Sequence, residues 1–160
     1  MQARRKFLAF ACAIATPGLA LAAWDKGASV ELPALTLLDG NALDRDALKG
    51  RVVVLEFWAS WCPFCARQNP HIEALYRANR ARGLEVVAVS IDKSAKAATD
   101  YMKSHAFTFE VGMVNPAYER IFRLRRGLPQ LYVLDRSGKI ARIETGEMFE
   151  EDIRDIAGLL

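Results

Sequence analysis

Apolar residues along the chain fall into two patterns: short unbroken runs, and longer stretches where they recur every three or four positions. Residues 52–58 (Val-Val-Val-Leu-Glu-Phe-Trp) are apolar except at Glu56, and 84–91 (Leu-Glu-Val-Val-Ala-Val-Ser-Ile) are nearly so. Such runs predict strands covered on both faces. Between them, 63–82 predicts a helix that Gly83 stops. A helix over 94–105, a strand at 108–111 and a helical turn or two over 116–122 follow. The last part, 130–134, 137–138, 140–144 and 150–159, reads as strand, turn, strand and helix. Ahead of the first buried run, 33–38 predicts a short strand, Asp39-Gly40-Asn41 a turn, and 44–49 a short helix stopped by Gly50. Strands alternating with helices and closing in a hairpin describe an α/β sandwich with a mixed sheet.

The first two dozen residues follow a different pattern. Arg4, Arg5 and Lys6 precede an apolar stretch from Phe7, Pro17-Gly18 breaks it, and Ala20-Leu21-Ala22 has the small-residue form of a cleavage site. Residues 1–22 therefore read as a cleavable export signal and 23–160 as a single domain. An uncleaved membrane anchor is the alternative, but the stretch falls short of the about 20 apolar residues a bilayer needs. The paired arginines also fit a twin-arginine address, so the export route stays open while the destination, the periplasm, does not. Cys12 would leave with the signal, and the mature chain would hold only Cys62 and Cys65.

Charge adds an exclusion. The 160 residues carry a net charge of +3, but three basic residues lie in the export signal and all 19 acidic residues lie at Asp25 or beyond. The remainder is neutral, so a nucleic-acid partner lacks the basic surplus that phosphate binding requires. A chain of this size can bury a core without disulfide staples, which makes its cysteines functional candidates.

The candidate chemistry is Trp61-Cys62-Pro63-Phe64-Cys65, at the junction of the first buried strand and the long helix. A C-x-x-C at such a junction reads as a redox dithiol. Cys62 would sit at the helix N-terminus, where unpaired N–H groups and the helix dipole favour a thiolate, with Cys65 one turn on. A zinc site would need two more ligands, and the two histidines, His71 and His105, fall on different helices. No Pro-x-x-x-Thr-x-x-Cys of a peroxidase precedes Cys62. Glu56 is the odd residue of its strand, either a buried acid with a raised pKa or a polar group with a local partner. Trp58 reads as core or as a shield for the dithiol, His71 as a surface helix residue, and Arg120, Arg123, Arg125 and Arg126 as a solvated cluster or a surface for an acidic partner.

The string Phe57-Trp-Ala-Ser-Trp-Cys62-Pro-Phe-Cys65, with Pro70 five residues on, resembles the thioredoxin superfamily. The frame around it narrows the resemblance to the exported TlpA/ResA-like thiol-disulfide oxidoreductases. That frame comprises Leu35-Thr-Leu-Leu-Asp39-Gly40, Leu48-Lys-Gly-Arg51, Arg126-Gly-Leu-Pro129 and Asp135-Arg-Ser-Gly138-Lys-Ile140. The resemblance implies a thioredoxin-like fold: a central mixed β-sheet flanked by helices, with an N-terminal hairpin and a central αβ insertion. It implies Cys62 as attacking thiol, Cys65 as resolving thiol, Glu56 as proton shuttle and Pro129 as a cis-proline exposing Leu128 for pairing with substrate. Trp61, Pro63 and Phe64 would complete the substrate surface. Many relatives carry a glutamate three residues after the second cysteine, where this chain has Gln68.

The expected activity is reduction of disulfides in exported proteins, such as apocytochrome c or copper-site proteins. The expected enzyme is a periplasmic monomer with no cofactor beyond the Cys62–Cys65 disulfide and no metal. Its partners would be exported protein thiols or disulfides and a membrane thiol electron donor. The alternatives are a disulfide-forming oxidant or isomerase with the same chemistry, and a binding module that holds Cu(I) or thiols on the two cysteines.

Overall fold

The computed structural model describes residues 25–122, 124 and 127–160. The expected export signal with Cys12, and Arg123, Arg125 and Arg126 of the basic cluster, lie outside the described residues.

The first buried run forms β1 (Val52–Trp58), and all seven of its residues are buried. Its neighbours follow from the chain order: α1 (Pro63–Asn79) crosses back to β2 (Leu84–Ser90), which pairs parallel to β1. The insertion then supplies α2 (Ala95–His105) and β3 (Glu110–Met113), the latter parallel to β2 at the sheet edge. After α3 (Pro116–Phe122), β4 (Gln130–Leu134) pairs antiparallel with β1, β5 (Ile140–Thr145) antiparallel with β4, and α4 (Glu150–Arg154) closes the fold. The order β3-β2-β1-β4-β5 is the mixed five-stranded sheet of a thioredoxin-like fold, with β1 at its centre.

Because side chains alternate across a strand, β1 serves two cores. Val53, Leu55 and Phe57 pack with Tyr118 and Phe122 of α3 and with Leu32, Leu35 and Leu43 of the N-terminal segment. Val52, Val54 and Trp58 pack with Ile72, Leu75 and Tyr76 of α1, Ala98 and Met102 of α2, and Ile153 of α4. Glu56 shares the parity of the second set, which places an ionisable carboxyl beneath α1.

Three sequence expectations are corrected. The strand at 33–38 is reduced to single bridges, Thr36 to Ala42 and Leu37 to Gly112. Pro33 cannot donate to a ladder, and the segment meets β3 through the antiparallel Leu37–Gly112 bridge and the Leu38 N–H to Val111 O bond of 2.8 Å. What remains is the expected N-terminal hairpin in its smallest form: Leu37 N donates to Asn41 O (2.8 Å) and Leu43 N to Leu35 O (2.9 Å). Gly112 makes the close approach of this segment to β3 possible, since a Cβ there would lie 2.6 Å from Leu35 Cγ and 2.7 Å from Thr36 O.

The helix expected over 44–49 is a run of turns. Asp44 Oδ1 does accept the Asp46 and Ala47 N–H groups as a cap would (3.0 and 3.1 Å), but the bonds that follow span only three residues, Leu48 N to Arg45 O and Lys49 N to Asp46 O. Cap and stop stand too close together for a helix to propagate. Finally, β3 begins at Glu110 instead of Thr108. The Thr108 N–H and hydroxyl are held by Glu73 of α1 (2.9 and 2.8 Å), so this residue is unavailable to the ladder.

Candidate active site

The dithiol lies where β1 hands over to α1. Cys62 is the N-cap of α1 with extended backbone (φ −84°, ψ 113°), and its Sγ accepts the backbone N–H of Cys65 at 3.2 Å. Pro63 follows at the first helical position, where its missing N–H costs nothing. The loop before the cysteine is held from just past β2: buried Asp92 accepts the Ser60 N–H (3.0 Å), the Ser60 hydroxyl (2.8 Å) and the Ser90 hydroxyl (2.8 Å). Cys62 N then donates to Ala59 O (3.1 Å), so the loop enters the helix in one defined path.

Both cysteines are free thiols, and their surroundings differ. Cys62 keeps 4% of its surface and borders an apolar rim in which Trp61 and Phe64 are 65% and 49% exposed; Cys65 keeps none. Burial, followed by the hydrogen bond to Cys62 and the negative charges of Cys62 and Glu56, pushes the Cys65 thiol strongly upward. Arg67 places its guanidinium 4.9 Å from the centre of the Phe64 ring and binds Glu147 through two bonds of 2.7 and 2.5 Å. This fastens the segment carrying Glu147, buried Met148 and the exposed Phe149 beside the rim.

The Leu128–Pro129 peptide is cis. Because Gln130 pairs with Phe57, Pro129 comes at the end of the sheet where β1 leads to Cys62. Its carbonyl accepts the Gly146 N–H (2.8 Å), and half-buried Leu128 packs against both cores.

Glu56 is fully buried. Its Oε1 accepts Gln68 Nε2 at 2.7 Å, and its Oε2 has no partner among the described residues. Burial raises its pKa from 4.5 to about 7, against the opposing pull of the Gln68 bond. The shift predicts a pH dependence of stability. Below the unfolded value both states are protonated; as pH rises toward about 7 the unfolded chain sheds the proton and the folded chain keeps it, so stability falls and the loss is complete above the folded value. At about 1.4 kcal/mol per pH unit the shift from 4.5 to about 7 corresponds to roughly 3 to 4 kcal/mol. Glu56→Gln retains an acceptor for Gln68 and removes the loss. Denaturant unfolding of the reduced protein is expected to show the variant gaining on the wild type between pH 4.5 and about 7, then holding a constant lead. A difference independent of pH would contradict the assignment.

The other candidates separate from this cluster. Trp58 is fully buried with its ring 5.1 Å from Tyr101, which makes it core. His71 stands on α1 with Nδ1 3.8 Å from Glu150, His105 stacks on Tyr101, and no three His, Cys, Asp or Glu side chains converge among the described residues. Arg120 is exposed on α3. A cleft of about 570 Å³ lies at the other end of the sheet, between 43–51 and 134–138, and contains neither cysteine.

Local patterns did not disclose Asp92, Arg67 or Glu147. The signals available were weak ones, an acid just past a strand end and a cation one helical turn from Phe64. Gln68 stood out only as a departure from a family pattern.

A buried carboxyl under a helix-capping dithiol, on this sheet, defines a thiol-disulfide oxidoreductase of the thioredoxin class. The Redoxin family model matches residues 25–160, and the chain belongs to that family. It is similar to the thiol-disulfide oxidoreductase ResA of Bacillus subtilis (strain 168), with 31% identity over 127 residues, covering 76% of this chain and 68% of the relative. A ResA of Bacillus cereus is 28% identical over 120 residues, covering 74% and 69%. Among solved structures, a thioredoxin-family thiol:disulfide interchange protein from Chlorobium tepidum TLS superposes with a TM-score of 0.77 at 23% identity, covering 85% of this chain and 97% of that one. A Chlorobium tepidum structure assigned to the interchange protein DsbE gives 0.74 at 27% identity, covering 86% and 96%. The chain is therefore an enzyme of ResA/DsbE type that exchanges electrons with protein thiols or disulfides.

Proposed function

We propose that the protein is a periplasmic reductase of disulfides in exported proteins, with Cys62 attacking, Cys65 resolving and Glu56 accepting the resolving proton. The observation that carries this reading is the asymmetry of the dithiol: Cys62 caps the helix beside an exposed apolar rim, while Cys65 is sealed over the carboxyl of Glu56. The Cys62 thiolate attacks one sulfur of a partner disulfide; that S–S bond breaks, a mixed disulfide forms, and the departing partner thiolate takes a proton from water. Cys65 then gives its proton to the Glu56 carboxylate and attacks Cys62 Sγ. The mixed disulfide breaks, the second partner thiolate leaves, and the Cys62–Cys65 disulfide remains, two electrons having passed to the partner.

No cofactor beyond the dithiol enters these steps. Exposed Trp61, Pro63 and Phe64, together with half-buried Leu128 and buried Pro129, are the residues this reading assigns to receiving the partner chain. Apocytochrome c and copper-site proteins, which need free thiols, are the substrates this reading favours, and a membrane thiol donor would restore the reduced state. Among the described residues no helix is long and apolar enough to cross a membrane. The test is the redox state in the cell. After acid quenching and alkylation of fractionated cells, the protein is expected in the periplasmic fraction with both cysteines reduced, and oxidised once the membrane donor is deleted. A standing Cys62–Cys65 disulfide in the presence of that donor would make it an oxidant.

A further inference from the structure

Gln68 is fully buried and spends both ends of its amide. Its Oε1 accepts the Met148 N–H at 2.8 Å, and its Nε2 donates to Glu56 Oε1 at 2.7 Å. The orientation of this amide is forced. A backbone N–H can only donate, so the carbonyl end of Gln68 must face Met148 and the NH₂ end must face Glu56. It follows that Glu56 Oε1 is always an acceptor. A proton placed there would set O–H against N–H, two donors in contact inside a buried site.

We propose that Gln68 is a positioning residue that reserves Oε2 of Glu56 for the proton and, through Met148, locks that carboxyl to the segment carrying Phe149. The inference rests on the reading of Glu56 as acceptor of the Cys65 proton. Oε2 is the oxygen with no partner, and no other described side chain competes for it. The groups that share its electrostatic surroundings are Cys65 and Cys62 at the start of α1 and Tyr101 of α2, all electrostatically linked to the site. Neighbouring β2 and β4 present Ala88 and Leu131 opposite Glu56, and neither carries charge. On the far side Glu147 is occupied by Arg67. Consecutive residues of α1, Arg67 and Gln68, thus hold consecutive residues 147 and 148. The proton site is built onto the same attachment that fixes the rim.

Two variants separate positioning from bulk structure. Gln68→Met keeps the volume and removes the donor to Glu56 Oε1, so the ionised carboxyl loses a hydrogen bond. Gln68→Glu keeps an acceptor for Met148 but turns a second carboxyl oxygen toward Oε1, so one proton must stay between the two acids. Gln68→Met is expected to move the titration of the Glu56 carboxyl upward by about one pH unit or more, and in Gln68→Glu the last proton of the acid pair is expected to leave about one pH unit or more above the wild-type carboxyl. The first readout is the ¹³C shift of the Glu56 side-chain carboxyl followed across pH 5 to 10 in the reduced protein. The second is the pH profile of mixed-disulfide resolution in stopped flow.

A carboxyl titration unmoved in a variant whose near-ultraviolet circular dichroism is native would overturn the role of Gln68. A carboxyl titration that moves while the kinetic inflection stays would retain Gln68 as the positioning residue and remove Glu56 from the resolving step. If Gln68→Met does not fold, Gln68→Glu carries the test alone, since it preserves the Met148 bond.

Discussion

Cys65→Ala is expected to hold a partner protein on Cys62 as a mixed disulfide that survives non-reducing electrophoresis, whereas Cys62→Ala holds none. The Cys62 side chain borders the exposed rim and receives the Cys65 N–H at 3.2 Å, which makes it the sulfur proposed to meet a partner. Cys65 has no exposed surface, and burial weighs against its thiolate. In the proposed mechanism the resolving attack is intramolecular, and a thiol held one helical turn away acts at an effective concentration far above that of any thiol in solution. With millimolar external thiol as the only remaining route, the lifetime of the mixed disulfide should lengthen by roughly a thousandfold. The experiment combines each variant with a cellular extract or a disulfide-bonded model protein, followed by mass spectrometry of the adduct. Equal trapping by the two variants would mean that Cys65 also reaches the partner, contrary to its complete burial.

What could be read without coordinates divides by the range of the interaction. The run at 52–58 carries its own strand signal, and the stops at Gly50 and Gly83 bound it and the helix that follows. The dithiol was visible for the same reason, because Cys62 and Cys65 are one helical turn apart in one element. The cis peptide at Pro129 and the burial of Glu56 agree with the expectations drawn from the family resemblance. Interactions between distant parts of the chain were not legible. Asp92 reaches Ser60 across 32 residues, Glu73 reaches Thr108 across 35, and Met148 meets Gln68 across 80. Each overrides or completes a local pattern: Glu73 delays β3, Asp92 fixes the loop before Cys62, and Gln68 converts an apparent loss of a family acid into the partner of another. The failed helix at 44–49 is the opposite case, where cap and stop were both present and length decided against them.

The midpoint potential of the Cys62–Cys65 couple is expected between roughly −210 and −280 mV, on the reducing side of the periplasmic range. A dithiol becomes a strong oxidant when donors and positive charge stabilise the attacking thiolate and so the reduced form. In this site Cys62 Sγ receives the Cys65 N–H, while Phe64, just before Cys65, offers an apolar ring with no donor. The cation over that ring, Arg67, is coupled to the Cys62 charge, but it lies in solvent and is shared with Glu147 through two hydrogen bonds, so its support of the thiolate is weakened by both. On the other side Glu56 and the burial of Cys65 disfavour additional negative charge. The distance from a thioredoxin-like potential near −270 mV to a strong oxidant near −120 mV is about 7 kcal/mol, a factor of about 10⁵ in the exchange equilibrium. Equilibration against glutathione and dithiothreitol buffers, with the fraction reduced read by alkylation and mass, covers the whole interval. A midpoint near −120 mV would show that the dithiol gives disulfides to its partners; one inside the predicted interval requires a donor that keeps Cys62 and Cys65 reduced in an oxidising compartment.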